Sequence, residues 1–427
     1  MIKEINDKLI KESVFGKKLQ NGLEVFFLPK KDYVKQYAIF ATKYGSNDLS
    51  FKLDTEDSYT KVPVGIAHFL EHKLFEEPEG NVFDRFAELG ANVNAYTNFN
   101  ITAYYFTSTS YFYENLATLI RFVQSPYFTD ENVEKEKGII GQEIMMYQDN
   151  PEWRVFFNLL KGMYHNHPVK NDIAGTIESV NSTTKEDLYN CYNTFYHPSN
   201  MALFIAGDLD KEEVFKKVEE GFAELNYEKP HVITRQYTEE PTDIREGYIE
   251  ERMLVSTPLF QIGYKDNRVG MDGIELATKE IAINILIDMI FGKSSDLYEG
   301  LYEKGLIDQS FGFDYVCERD YGHIIIGGES RSPMEVKGII DGNISRIKKE
   351  GLDKETFERI KRKQIGENLS YYNSIEYIGN SFIGYYFKNI NFLEYIKLLT
   401  EIRLETVEEY ANSILDENRQ VISIINP

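Results

Sequence analysis

A chain of 427 residues, 42% of them apolar, can bury a large core, and at that length two or more domains are expected. With 47 Lys and Arg against 69 Asp and Glu, the formal net charge of −22 argues against nucleic acid and membrane surfaces as partners. That acidity serves solubility or draws in basic, extended peptides. The opening MIKEINDKLIKESVFGKKL is charged throughout and has no apolar run fit for a signal peptide or membrane span, so a cytoplasmic location is expected. Cys191 and Cys317 lie far apart outside any CxxC pattern and read as reduced core residues.

In chain order, aromatic and β-branched runs at 22–29 and 36–42 predict strands. Helical spacing follows at 66–76 and 82–89, then a strand pair at 92–97 and 101–107. Helices are predicted over 111–124, 130–147 and 151–164, and Thr183 and Thr184 read as N-caps for 185–195. The apolar run 201–206 reads as a buried strand, and Asp210 opens a helix to about residue 225. Polar, poorly periodic sequence with Pro230 and Pro241 marks a linker at 229–247, dividing a domain 1–228 from a domain 248–427. The second part repeats the succession: strands at 248–255 and 259–264, a helix at 273–291, strands at 310–316 and 323–328, four helices, and a strand at 420–425. The fold class expected is α+β, a duplicated unit in tandem, although residue identity between the halves is too low to prove duplication.

The sharpest local signal is His68-Phe69-Leu70-Glu71-His72. On a helix His68 and His72 lie one turn apart on the same face, as two imidazoles sharing a metal ion require. Two imidazoles and a carboxylate leave a fourth tetrahedral position for water, the open arrangement of catalytic zinc, and Glu71 is placed to take a proton from that water. The pattern H-x-x-E-H is that of the inverzincins, though on a bare five-residue match a salt-bridged, solvated helix face is the competing reading. Only seven histidines occur, and two of them fall at this spacing. In VEKEKGIIGQE, Glu136 and Glu143 lie two turns apart on one helix face. Glu143 is assigned as the third ligand and Glu136 as an acceptor orienting a ligand or the water; both could instead be ordinary solvated glutamates. His165-Asn166-His167 reads as a loop rather than a metal pair.

These residues resemble the insulinase, pitrilysin and mitochondrial processing peptidase family of zinc peptidases (family M16), in a bacterial-type chain of about half-insulinase length. The likeness rests on GIAHFLEH, on Glu143 within EKEKGIIGQE at 71 residues (143 − 72) beyond His72, and on LGANVNAYT at 89–97. Asn150-Pro151 and YHPSNM at 196–201 extend it through the first half. The resemblance implies two similar α/β-sandwich domains, each a mainly antiparallel sheet covered by helices, and one zinc ion per chain. It also gives Asn92, Asn94 and Ala95 a substrate-binding role on an edge strand that pairs with an extended peptide, a mode with little dependence on sequence.

One departure matters. Active members carry an arginine and a tyrosine after a helix of the C-terminal half, whereas here Tyr302 stands at the arginine position and Asp308 near that of the tyrosine. Such groups steady the substrate carbonyl and oxyanion. The resemblance therefore implies a related second subunit supplying both, in a clamshell dimer. A homodimer using Arg319, Tyr315 or Tyr321 is the alternative. The expected activity is metalloendopeptidase cleavage of short or unfolded peptides in a closed chamber, with a zinc-bound water as nucleophile and Glu71 as general base. A dedicated processing peptidase for one partner peptide, or a non-catalytic scaffold subunit, are the rivals.

Overall fold

Seven strands build the first sheet of the computed structural model, which describes residues 2–7, 10–78, 80–223, 225, 227 and 232–427. They are β1 (Lys3–Asp7), β2 (Glu12–Lys18), β3 (Glu24–Pro29), β4 (Gln36–Thr42), β5 (Asn92–Thr97), β6 (Thr102–Ser108) and β7 (Met201–Gly207), in spatial order β1-β2-β3-β7-β4-β6-β5. β7 runs parallel to β3, and the other pairs are antiparallel. The central strands β4 (QYAIFAT) and β7 (MALFIAG) are near-continuous apolar runs, as burial on both faces requires. β5 lies at the edge, with β6 its one neighbour among the described residues.

The second sheet comprises β8 (Tyr248–Arg252), β9 (Leu259–Lys265), β10 (Gly312–Cys317), β11 (Gly322–Glu329) and β12 (Gln420–Asn426), in spatial order β8-β12-β9-β11-β10. β8 and β12 are parallel and the rest antiparallel. This order repeats that of β3, β7, β4, β6 and β5: in both sheets the last strand lies parallel beside the first, and the third forms an edge. The duplication expected from the succession of elements thus appears as shared topology, with β1 and β2 added on one side of the first sheet.

The compact units are not the contiguous halves 1–228 and 248–427. One comprises Met1–Ile144, Asn171–Tyr237 and Tyr371–Phe387; the other comprises Met145–Lys170, Thr238–Ser370 and Lys388–Pro427. Each sheet is therefore covered by a helix from the opposite half of the sequence. Pro151–Met163 lies on β12 and β9 of the second unit, and Ile375–Phe387 lies on β7 and β4 of the first. The latter packs through Gly379, where an added Cβ would come within 2.5 Å of the Tyr37 ring. The start of the expected linker, residues 229–231, lies outside the described residues.

Two local expectations are corrected. Thr184 caps the helix Lys185–Phe195 through a capping box with Asp187, but Thr183 ends the preceding short helix Ile177–Ser182 and donates its hydroxyl to Ser179 O. Five α-helices, not four, and two short 3-10 helices separate β11 from β12 among the described residues. Cys191 and Cys317 are buried free thiols. Among the described residues no helix is long and apolar enough to cross a membrane.

Candidate active site

The residues singled out for chemistry gather in the first unit. Helix α1 (Ile66–Leu74) buries Ile66, Ala67, Phe69, Leu70 and Leu74, with Phe69 and Leu70 fully enclosed. Such side chains contribute about 1.5–3 kcal/mol each, so the histidine face is held by the apolar face opposite. The helix starts at Gly65, whose φ of 89° is left-handed. A Cβ there would lie 2.4 Å from Ala174 O, so only glycine lets the chain enter α1 against that backbone.

Helix α2 (Asp130–Gln148) buries Val133, Ile140 and Ile144 in one stripe, and Glu136 and Glu143 lie along its flank. This brings Glu143 Oε1 to 3.7 Å from His68 Nε2 and Glu143 Oε2 to 3.5 Å from His72 Nε2. Among the described residues these three form the one His, Cys, Asp or Glu group with donor atoms close enough to hold a metal, all within 4.8 Å of one another. Ligands about 2.0–2.1 Å from a tetrahedral zinc stand roughly 3.3–3.5 Å apart. The separations of 3.5 and 3.7 Å lie at and just beyond that spacing and are too long for hydrogen bonds, so the donor set fits the ion.

Around this trio most polar groups have partners, but His68 Nδ1 is buried with no hydrogen-bond partner among the described residues. His72 Nδ1 lies 3.0 Å from Glu136 Oε1, which leaves Nε2 facing Glu143. Thr97, at the end of β5, donates its hydroxyl to Glu71 Oε2 at 2.6 Å. Burial pushes the His68 pKa down to about 3, with the charge of His72 adding to it, so this imidazole is neutral and free to ligate. Burial also raises Glu71, against the opposing bond from Thr97. For His72, burial is outweighed by the bond to Glu136 and the charges of Glu71, Glu136 and Glu143, and its pKa rises. For Glu136, burial is outweighed by His72, Lys73 and Lys135, which hold it below its ordinary range.

A cavity of about 620 Å³ opens beside the site, its lining including Glu71, His72, Phe75, Phe83, Asn94 and Ile139. Phe75 and Phe83 stack at 4.5 Å there. Asn94 is thus beside the candidate base, while Asn92 and Ala95 share its strand without lining the cavity.

The remaining candidates lie in the second unit. Backbone N–H groups of His165, Asn166 and His167 donate to the Glu240 carboxylate at 2.9, 2.7 and 2.7 Å, the loop role expected of that run. Tyr315 is buried and donates to Asp266 Oδ2 at 2.7 Å, and Tyr321 is 3% exposed, so neither side chain is presented on the surface. Arg319 is paired with Asp272 at 2.9 Å. Two features escaped the sequence: the Thr97–Glu71 bond, on a strand whose binding role was given to Asn92, Asn94 and Ala95, and the burial of Lys73.

The chain is similar in sequence and fold to known proteins. The profile described as insulinase (peptidase family M16) matches residues 58–177, and that described as the M16 inactive domain matches residues 182–364. Over 427 residues, all of both chains, the protein is 44% identical to the uncharacterized zinc protease YmfH of Bacillus subtilis strain 168. The chain belongs to the insulinase family, peptidase family M16. Within that family, the crystal structure of an M16-like peptidase from Alicyclobacillus acidocaldarius superposes with a TM-score of 0.95 at 39% identity, covering 99% of each chain. A protease of Helicobacter pylori shares the fold at 19% identity, with a TM-score of 0.84 over all of both chains. Two similar domains of mixed sheet and helix are the insulinase-family fold.

Proposed function

We propose that this insulinase-family chain is a zinc-dependent endopeptidase that cleaves short or unfolded peptides, with one zinc held by His68, His72 and Glu143. The observation that carries the reading is the convergence of three donors at ligand spacing beside the buried carboxylate of Glu71. Zinc bound by such a set supplies Lewis acidity, polarising the scissile carbonyl and acidifying water. Glu71 takes the proton of the attacking water and passes it to the leaving amine, with Thr97 fixing its second oxygen. Glu136 holds the Nδ1–H of His72 and thereby presents Nε2 as the donor. The edge strand β5, carrying Asn92, Asn94 and Ala95, aligns an extended backbone for attack.

Oxyanion stabilisation calls for a further subunit. Tyr302 occupies the arginine position, and the phenols of Tyr315 and Tyr321 are buried, which supports a dimer with a related chain that supplies arginine and tyrosine and closes a chamber. Retention of His68, Glu71, His72 and Glu143 together argues against a scaffold role, which needs none of them. A chamber admits only unfolded chains, so the test is digestion of one small protein in native and in reduced, alkylated form. Cleavage confined to the unfolded form is expected, and equal rates on both would contradict the reading. Broad cleavage of a peptide library favours general peptide degradation, and one preferred site favours dedicated processing.

A further inference from the structure

Lys73 follows His72 directly, and its side chain is fully buried. Lysine is almost never enclosed unless it is paired. Its Nζ bonds the Glu76 carboxylate and lies 3.7 Å from Glu136 Oε2. The other oxygen of Glu136, Oε1, is the one 3.0 Å from His72 Nδ1. The two oxygens of Glu136 are thus divided between a cation and an imidazole, and the imidazole turns its remaining nitrogen to Glu143 Oε2 at 3.5 Å. A carboxylate on a flexible side chain reaches many positions near α1. A buried cation fixed by the backbone next to His72 selects among them.

We propose that Lys73 is a positioning residue of the metal site: by holding Glu136 through Oε2 it keeps Oε1 on the Nδ1–H of His72, and so aims His72 Nε2 at the metal. The alternative is a local role, in which Lys73 merely ties Glu76 to the end of α1, where a cation also suits the helix dipole. The two roles differ in which carboxylate matters. Through Glu136 the effect reaches the metal; through Glu76 it reaches the turn after the helix.

The inference rests on the zinc reading above, so zinc affinity of the wild-type chain is measured first, by competition with a chromophoric chelator on full-length protein. Absence of zinc binding by the wild type would sink that reading, whereas the present inference is decided by differences among variants. Lys73→Met keeps length and removes charge; it is expected to weaken zinc binding by about 10–100-fold, the usual cost of losing an outer partner of a ligand. Glu136→Gln is expected to do the same, and the double variant should bind no worse than Glu136→Gln alone, because both act through one contact. Glu76→Gln should leave zinc affinity within a few-fold of wild type, and Lys73→Arg should recover most of what Lys73→Met loses. Multiplicative losses in the double variant, or unaltered affinity in Lys73→Met, would overturn the proposal. Should Lys73→Met fail to fold, Glu76→Gln decides alone: retained affinity supports the route through Glu136, and a tenfold loss overturns it.

Discussion

Replacing Thr97 by valine removes almost no volume but deletes the hydroxyl that bonds Glu71 and makes a longer contact of 3.4 Å with the Thr102 hydroxyl. The Thr97 hydroxyl lies 2.6 Å from Glu71 Oε2, the length of a charge-assisted O–H···O⁻ contact. Bonds to charged groups contribute about 1.5–3 kcal/mol, so without the hydroxyl the carboxyl of Glu71 is pushed further up. The sign follows from the role of Glu71. As a base it works deprotonated, so kcat/KM climbs with pH through its pKa. Thr97 stabilises the carboxylate and opposes the upward push of burial, and without it the acidic limb moves to higher pH. Both proteins hold the same metal, so the ion's own effect on Glu71 is common to the two profiles. The assay is kcat/KM against pH for a quenched fluorescent peptide with zinc-saturated wild type and Thr97→Val. An acidic limb that stays in place, or moves to lower pH, would refute the assignment of Glu71 as base under the control of Thr97.

Two further outcomes bear on the metal and on the helix that carries it. Glu143→Gln removes the charged donor facing both imidazoles, and zinc affinity should fall at least about 100-fold, more than for an outer partner; chelator competition reads this, and retained binding would displace Glu143 as ligand. Gly65→Ala forces a left-handed φ on alanine and sets its Cβ against Ala174 O, a cost of about 1–3 kcal/mol from the backbone alone. A lower denaturation midpoint is expected, and an unchanged one would show that the entry to α1 tolerates a side chain.

The helix carrying the candidate site was legible because its signals are local. His68 and His72 share a face by spacing, and Phe69, Leu70 and Leu74 declare the opposite face. Glu136 and Glu143 were legible for the same reason, seven residues apart on α2. Lys73 was not: amid Glu71, Glu76 and Glu77 it reads as a solvated charge, and only tertiary packing encloses it. β1 and β2, KEIND and ESVFGKK, escaped because polar outer strands lack the apolar runs that mark the central ones. Thr183 and Thr184 offer the same capping chemistry one residue apart, and only the short helix before them decides which one caps. The exchange of covering helices was beyond local reading. Pro151–Met163 and Ile375–Phe387 each show an apolar face, but nothing in either segment states which sheet it will cover.

The most direct measurement compares zinc-loaded chain with its Glu71→Gln variant on unstructured peptides, alone and with any related subunit that co-purifies, following products by mass spectrometry and metal by elemental analysis. Loss of the general base should lower cleavage by about 10²–10⁴-fold while zinc stays bound through His68, His72 and Glu143. Undiminished cleavage by a zinc-bearing Glu71→Gln protein would contradict the mechanism, and a wild-type chain that binds zinc yet cleaves nothing with or without its partner would contradict the peptidase itself.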